Sequence, residues 1–546
     1  MQMAQPALPS ALDDNRQGHI GRGADRVDGR LKVNGSAPYA YEVAECDAQA
    51  YGFVLGADIS CGRIADSGSG EAERAPGVLL VLTHRNAPKQ ATVTREGNDR
   101  FARPLPCMVD DQVHHHGDAA AFVVGSTFEQ ARAAARLLRV SYEAKDGSCI
   151  FEDHIDQALT PELADGFPPD SSTGQFEPNF GQAAVQFDQT YRIHIHAQMG
   201  PQASLSWREG NRVVVHCSTQ FVESAQKRVA ATLMIDQCQV RIVSRYIGGG
   251  FGGKLPVFAD VILTGLAARE LGRPVKTALT RQQMFHLTTH RGNTRQRVRL
   301  GAVRQGILSA IGHESWSQGT PRYAFCEPAT VATRSLYAGA HRMTRQRTVA
   351  LDLPVADSCR APGEAVGLLA LESAMNELAH QLAIDPIELR MRNEPEQDPE
   401  KKVPYSSRQL IACMQDGAKR FDWEQRQTQP GQVRDGRWLV GIAMSAARRG
   451  NLLQEAHAEV TLRPDGVLQV RTAMTDLGTG SYTVFSQIAA EMLGIPLAQV
   501  SMELGDSDFP QSAGSGGSFG AASTGAATFD ATHQAAAQAG QGSRHR

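Results

Sequence analysis

The chain has 546 residues, 41% of them hydrophobic and 21% charged, with a formal net charge of −3. This is the profile of a globular protein with room for two or more cored domains. The near-neutral charge gives no electrostatic footing on nucleic acid or an anionic membrane, and no apolar run approaches the ~18 residues that a membrane-spanning helix needs.

The first 24 residues lack a basic stretch followed by an apolar core, so they do not read as a signal peptide and are expected to form a flexible arm. Residues 25–145 form a compact α+β unit. "GVLLVLT" and "AAFVVGS" have the run length of buried strands, and "TFEQARAAARLLRV" is a helix opening on Thr127 as N-cap. Residues 146–185, rich in Pro, Gly, Ser and Asp, read as a connector. Beyond it, "ASLSWREGNRVVVHC", "RVRLGAVRQGILSAIGHESWS" and "AHAEVTLRPDGVLQVRTAM" are alternating runs around EGN, QG and PDG turns, each a hairpin. Amphipathic helices lie between them at "VESAQKRVAATLMI" and "AVGLLALESAMNELAHQLAI", the second followed by Asp385-Pro386 as N-cap and first residue of another. After about Thr524 the text turns low in complexity, with no closing strand or helix pattern; 525–546 reads as a tail, even a frameshifted one.

The nine cysteines include no C-x-x-C pair, so zinc ribbons, thioredoxin-like centres and iron–sulfur ligation lack their spacing. "VHHHGD" at 113–118 reads as a solvated turn, and His194 and His196, two apart on one strand face, as packing or surface residues. "RYIGGGFGGK" at 245–254 satisfies G-x-G-x-x-G through Gly248, Gly250 and Gly253. A dinucleotide site needs an acidic residue about 20 positions on, at the end of a second strand. Glu270 has the distance but ends a helix, and Leu255 stands where a P-loop needs a hydroxyl. Neither nucleotide reading survives its context.

Four motifs in order, "GGGFGGK", "SCRAPGEA" at 358–365, "MTDLGTGSYT" at 474–483 and "FPQSAGSGGSFG" at 509–520, resemble the molybdenum hydroxylases, the xanthine dehydrogenase and aldehyde oxidase family. The likeness runs from about Asp25 to about Thr524 and is nearest to the molybdopterin-binding large subunit of bacterial three-subunit aldehyde oxidoreductases. It implies an α+β fold, with an a/b hammerhead domain at 25–145 and a molybdopterin-binding domain whose first part is 186–430 and whose second, incomplete part is 431–524.

By the same resemblance Gly250, Phe251 and Gly252 run beneath the molybdenum, where only backbone without Cβ atoms approaches closely. Gln220 matches a glutamine that hydrogen-bonds an oxygen on the metal, and Arg360 an arginine facing metal and pterin. Gly478, Thr479 and Gly480 match a pterin-binding loop; Ser515, Gly516, Gly517 and Ser518 match the loop at its phosphate side, where successive N–H groups form an anion nest. Leu255 and Pro362 fall in the substrate pocket. Purine-oxidising relatives carry a glutamate at the position of Leu255, so an aldehyde is favoured over a xanthine-like heterocycle. The resemblance implies a molybdenum cofactor, with or without a cytosine nucleotide, and 2Fe-2S and FAD groups in separate iron–sulfur and FAD partner subunits. It allows a cytoplasmic location, or a periplasmic one by export with a signal-bearing partner. The family's general base is a glutamate in a late G-x-G-E loop, which this sequence does not contain; Glu364 is out of register for it, and no catalytic residue is assigned. The sequence therefore reads either as an aldehyde-hydroxylating subunit or as a truncated, catalytically incomplete remnant.

Overall fold

The computed structural model describes residues 10–43, 48–92, 100–193, 199–323, 325–405 and 407–543; His194 and His196 lie outside them. Its main sheet has seven strands in the order Val240–Val243, Arg212–Cys217, Ala203–Glu209, Val275–Ala278, Ala50–Gly56, Ala119–Gly125, Val78–Thr83. The EGN hairpin supplies two of these strands in antiparallel register. Ala50–Gly52 runs parallel to Val275–Thr277, so the N-terminal unit and the unit after the connector share one sheet. The Val222–Leu233 and Ala259–Leu271 helices bury Val229, Leu233, Ile262, Leu263 and Leu266 in the core cluster that also holds Val213, Val215 and Ile242 of this sheet.

A second sheet, of five strands, is built on the long QG hairpin Thr294–Ala302 and Leu308–Gly319, with His341–Ala350 added in parallel. The Glu364–Leu382 helix packs Leu371, Met375 and Leu378 with Val298 and Leu300 of that sheet. The PDG hairpin pairs Glu459–Leu462 with Leu468–Thr472, and Val500–Leu504 adds in parallel. Thr127 caps Phe128–Ala135 by accepting the N–H of Gln130, and Asp385 caps Pro386–Arg392. Mixed sheets with irregularly placed helices make the chain α+β.

Three segments depart from the sequence reading. From Ser10 onward the expected flexible arm is fastened: the N–H groups of Gln17 and His19 donate to the Glu491 carboxylate at 2.8 and 2.9 Å. The connector contributes a strand, Ser171–Thr173, to the five-stranded sheet, and its Phe176 is buried against Ala310 and Met343. The tail is a helix, Gly520–Ser543, packed on the Ser481–Leu493 helix. Its buried positions include Thr524, Thr528 and Thr532, spaced by four on one face. The Thr528 and Thr532 hydroxyls donate to carbonyls one turn back at 2.8 and 2.7 Å. A buried stripe made of threonine has no hydrophobic periodicity to read.

At 113–118 the His115 side chain donates to the His286 carbonyl at 2.9 Å, and the His116 ring meets that of His286 edge-on at 4.8 Å. Among the described residues no helix is long and apolar enough to cross a membrane, and no group of three or more His, Cys, Asp or Glu is placed to hold a metal ion.

Candidate cofactor cleft

A cleft of about 1900 Å³ opens where the four glycine-bearing loops meet, and Gln220, Phe251, Gly252, Leu255, Arg360, Pro362, Thr479 and Ser515–Ser518 all line it. Gln220 joins three of the loops. Its Oε1 accepts the N–H of Gly252 at 3.0 Å, its Nε2 donates to the Ser515 carbonyl, and its own carbonyl accepts the Ser515 N–H and the Thr475 hydroxyl. Only 2% of Gln220 is exposed, so each of these bonds is protected from exchange with water.

The floor is glycine for steric reasons. A Cβ on Gly250 would lie 2.5 Å from Gln220 Oε1, and one on Gly252, at φ +91°, would lie 2.3 Å from the Ser358 carbonyl oxygen. Phe251 itself is left-handed at φ 53° and partly exposed. Its carbonyl accepts the Arg360 N–H at 2.9 Å, and the Arg360 guanidinium sits 5.4 Å from its ring centre. Lys254, which a P-loop would aim at a phosphate, is buried instead and donates to the Ile247 carbonyl at 2.8 Å, closing its own loop. Burial pulls its pKa down to about 8, against the field of Asp260.

Arg360 and Ala361 are consecutive left-handed residues, at φ 27° and 57°. Such strain persists only where the surroundings over-determine it. Arg291 Nη2 supplies part of that hold, donating to the carbonyls of Cys359 and Arg360 at 2.6 Å each.

Gly478 and Gly480 do not aim their N–H groups into the cleft. Both donate to Asp476 Oδ1, at 2.6 and 3.4 Å, and Thr479 between them faces the opening. Around Ser515–Ser518 the chain turns through positive φ at Gly514, Gly517 and Ser518, and among the described residues the N–H groups of Gly516, Gly517 and Ser518 have no protein acceptor. Three successive free N–H groups on a turn with positive φ are an anion-binding nest. Arg449 closes this side: its Nε donates to Ser518 Oγ at 3.2 Å, and its Nη1 pairs with Glu364 at 2.5 Å. Asp476, Arg291 and Arg449 are outside the sequence assignments. Asp476, two residues before Gly478, carries a usable signal, since an Asp commonly accepts the N–H two residues on.

Comparison with known proteins agrees with this geometry. The a/b hammerhead domain of aldehyde oxidase and xanthine dehydrogenase matches residues 34–146, and molybdopterin cofactor-binding domains match 159–394 and 416–544. The chain belongs to the molybdenum hydroxylase family of aldehyde oxidases and xanthine dehydrogenases. Within it, the chain is 45% identical over 529 residues to the aldehyde oxidoreductase molybdenum-binding subunit PaoC of Escherichia coli O157:H7, covering 95% of this chain and 70% of that subunit. It is 28% identical over 523 residues to the xanthine dehydrogenase molybdenum-binding subunit of the same organism, covering 87% and 66%.

Among solved structures, aldehyde oxidoreductase from Desulfovibrio gigas superposes with a TM-score of 0.83 at 23% identity over 94% of this chain and 60% of that one. Quinoline 2-oxidoreductase from Pseudomonas putida 86 superposes at 0.79 and 21%, covering 94% and 70%. These two establish the shared fold. The match to 416–544 runs through the segment that the sequence suggested was a foreign tail.

The cleft residues fit a molybdopterin. Gly252 lines the cleft as backbone with no room for a Cβ, beside the Phe251 ring, and the free N–H nest at 516–518 suits the anionic end of the cofactor.

Proposed function

We propose that the chain is the molybdenum-binding subunit of an oxidoreductase that converts an aldehyde and water into a carboxylate, releasing two electrons and protons. The electrons would pass to iron–sulfur and FAD groups in partner subunits. The cofactor supplies the redox chemistry when bound. This chain's part is to seat it: Gly250–Gly252 offers backbone, Gln220 holds that floor to the Ser515 loop, and the nest at 516–518 takes negative charge. The observation that carries the substrate class is Leu255, 6% exposed, lining the cleft and packed close to Gly516. An apolar wall there offers no hydrogen bond to a purine, which disfavours the N-heterocycle alternative.

One observation favours a second reading, a subunit that binds cofactor without turnover. The carboxylate beside the Arg360 loop, Glu364, is engaged by Arg449 in an ion pair at 2.5 Å rather than standing free in the cleft. Co-expression with candidate iron–sulfur and flavin subunits, followed by molybdenum quantification and aldehyde-dependent dye reduction, separates the readings. Stoichiometric metal with turnover supports the first, metal without turnover the second, and no metal overturns both.

A further inference from the structure

The loop carrying Arg360, Ala361 and Pro362 is strained, and its hold from the Glu327 side is a single buried carboxyl. Glu327 is 1% exposed, and its Oε1 accepts the N–H of Gly363 at 2.6 Å. Its other oxygen, Oε2, has no hydrogen-bond partner. The turn that follows Glu327 is pressed against the start of the Glu364–Leu382 helix. A Cβ on Gly363 would lie 2.4 Å from the Pro328 carbonyl oxygen, and one on Gly367 would lie 1.7 Å from that of Ala329. The floor and the loop are further tied through Phe251 and Arg360, so a displacement at Gly363 reaches the cleft wall.

We propose that Glu327 is a positioning residue for the cleft: by holding the Gly363 amide it fixes the Arg360–Pro362 wall, while Arg291 fastens the two preceding carbonyls. A helix entry with a buried half-used carboxyl is otherwise a net cost, because an unpaired buried oxygen forfeits its hydration. The groups whose charge reaches Glu327 are Arg291, which favours its ionised form, and Asp165 and Asp357, which oppose it. Arg100 bridges those two aspartates at 2.5 and 2.9 Å. The Cys359 thiol, also near Glu327, is pushed up to about 12 by burial.

Burial raises the Glu327 pKa from its ordinary 4.5 to about 7. A carboxyl whose pKa is higher in the closed loop than in an opened, hydrated one favours closure while protonated. That advantage is lost as pH rises from 4.5 through about 7. The loop should therefore open more readily above neutrality, and only where residue 327 titrates.

The test is amide hydrogen exchange of the 358–364 segment in the intact, cofactor-free chain, corrected for the intrinsic pH effect. Wild type should lose protection about tenfold between pH 6 and 8, the factor set by titration of one group near 7. Glu327→Gln keeps an acceptor for Gly363 and should be flat across that range. Glu327→Ala should be less protected at both pH values, with the 368–382 part of the helix unchanged. Unchanged protection in Glu327→Ala, or the wild-type pH response in Glu327→Gln, would overturn the proposal. If Glu327→Ala does not fold, the glutamine variant decides alone. The role at the cleft rests on the cofactor reading above, whereas this measurement needs no cofactor, so the two fail separately.

Discussion

Glu372 and Arg390 form an ion pair at 2.7 Å with 3% and 0% of their side chains exposed, and Glu372 holds the backbone that runs on to the cleft. Arg390 donates to Glu372 Oε2 through both Nε and Nη2. The same oxygen accepts the N–H of Ala446 at 2.6 Å, and Tyr337 donates to Oε1. Ala446 leads directly into Arg448 and Arg449, which line the cleft. Breaking a buried pair strands a charge, which costs about 3–5 kcal/mol, whereas the intact pair adds little net stability. Glu372→Ala should therefore lose about that much in urea denaturation. The double variant Glu372→Met/Arg390→Met should recover part of it, because no charge is left uncompensated while the Ala446 N–H and the Tyr337 hydroxyl still lack their acceptor.

Gln220 is expected to be as sensitive as a core residue although it is polar. Gln220→Ala leaves the Gly252 N–H and the Ser515 carbonyl without the acceptor and donor they have now. Each stranded buried group costs about 1–3 kcal/mol, so a loss of about 2–6 kcal/mol in chemical denaturation is the expected result. Molybdenum retained after gel filtration should fall together with stability, since the two loops that flank the cleft are those released.

At Gly252 any side chain meets fixed backbone. The Ser358 carbonyl oxygen would be 2.3 Å from the new Cβ, and φ is already +91°. Gly252→Ala should thus cost at least the ~1–3 kcal/mol of a strained left-handed residue, plus displacement of the Ser358 loop. Gly436, also at positive φ, has nothing within 4 Å of its Cβ direction. Gly436→Ala should cost only about 1 kcal/mol of backbone strain. Thermal unfolding of the two variants side by side checks the contrast.

What the sequence disclosed and what it hid divide by range. Turns and caps act within a few residues, so the EGN, QG and PDG hairpins, Thr127 and Asp385-Pro386 stand where their chemistry places them. The glycine motifs mark the cleft because a close backbone approach demands them locally. Contacts that depend on distant partners are invisible at that scale. Val275–Thr277 beside Ala50–Gly52 is a parallel pairing across more than two hundred residues, and Glu491 under Gln17 and His19 is longer still. Arg291 and Glu327 belong to this class: each is an ordinary charged residue until the Arg360 loop is laid against it. Gly478 and Gly480 show the same limit from the other side, since a motif fixes where a loop lies but not which of its N–H groups an internal Asp476 takes.

Lys254 gives a pH dependence on the alkaline side. Burial lowers its pKa to about 8 from an ordinary 10.5. Between those two values the unfolded chain binds more protons at this site than the folded one, so stability rises with pH from about 8 towards 10.5. The shift corresponds to about 3 kcal/mol at most, an upper bound on the gain. Lys254→Met removes the titration but keeps the stem that packs in the loop, and it gives up the bond to the Ile247 carbonyl, worth about 1.5–3 kcal/mol with a charged donor. Wild type should therefore gain stability relative to the methionine variant as pH goes from 8 to 10. Stability differences between the two that do not change across that range would show that the Lys254 ammonium is not desolvated in the folded chain.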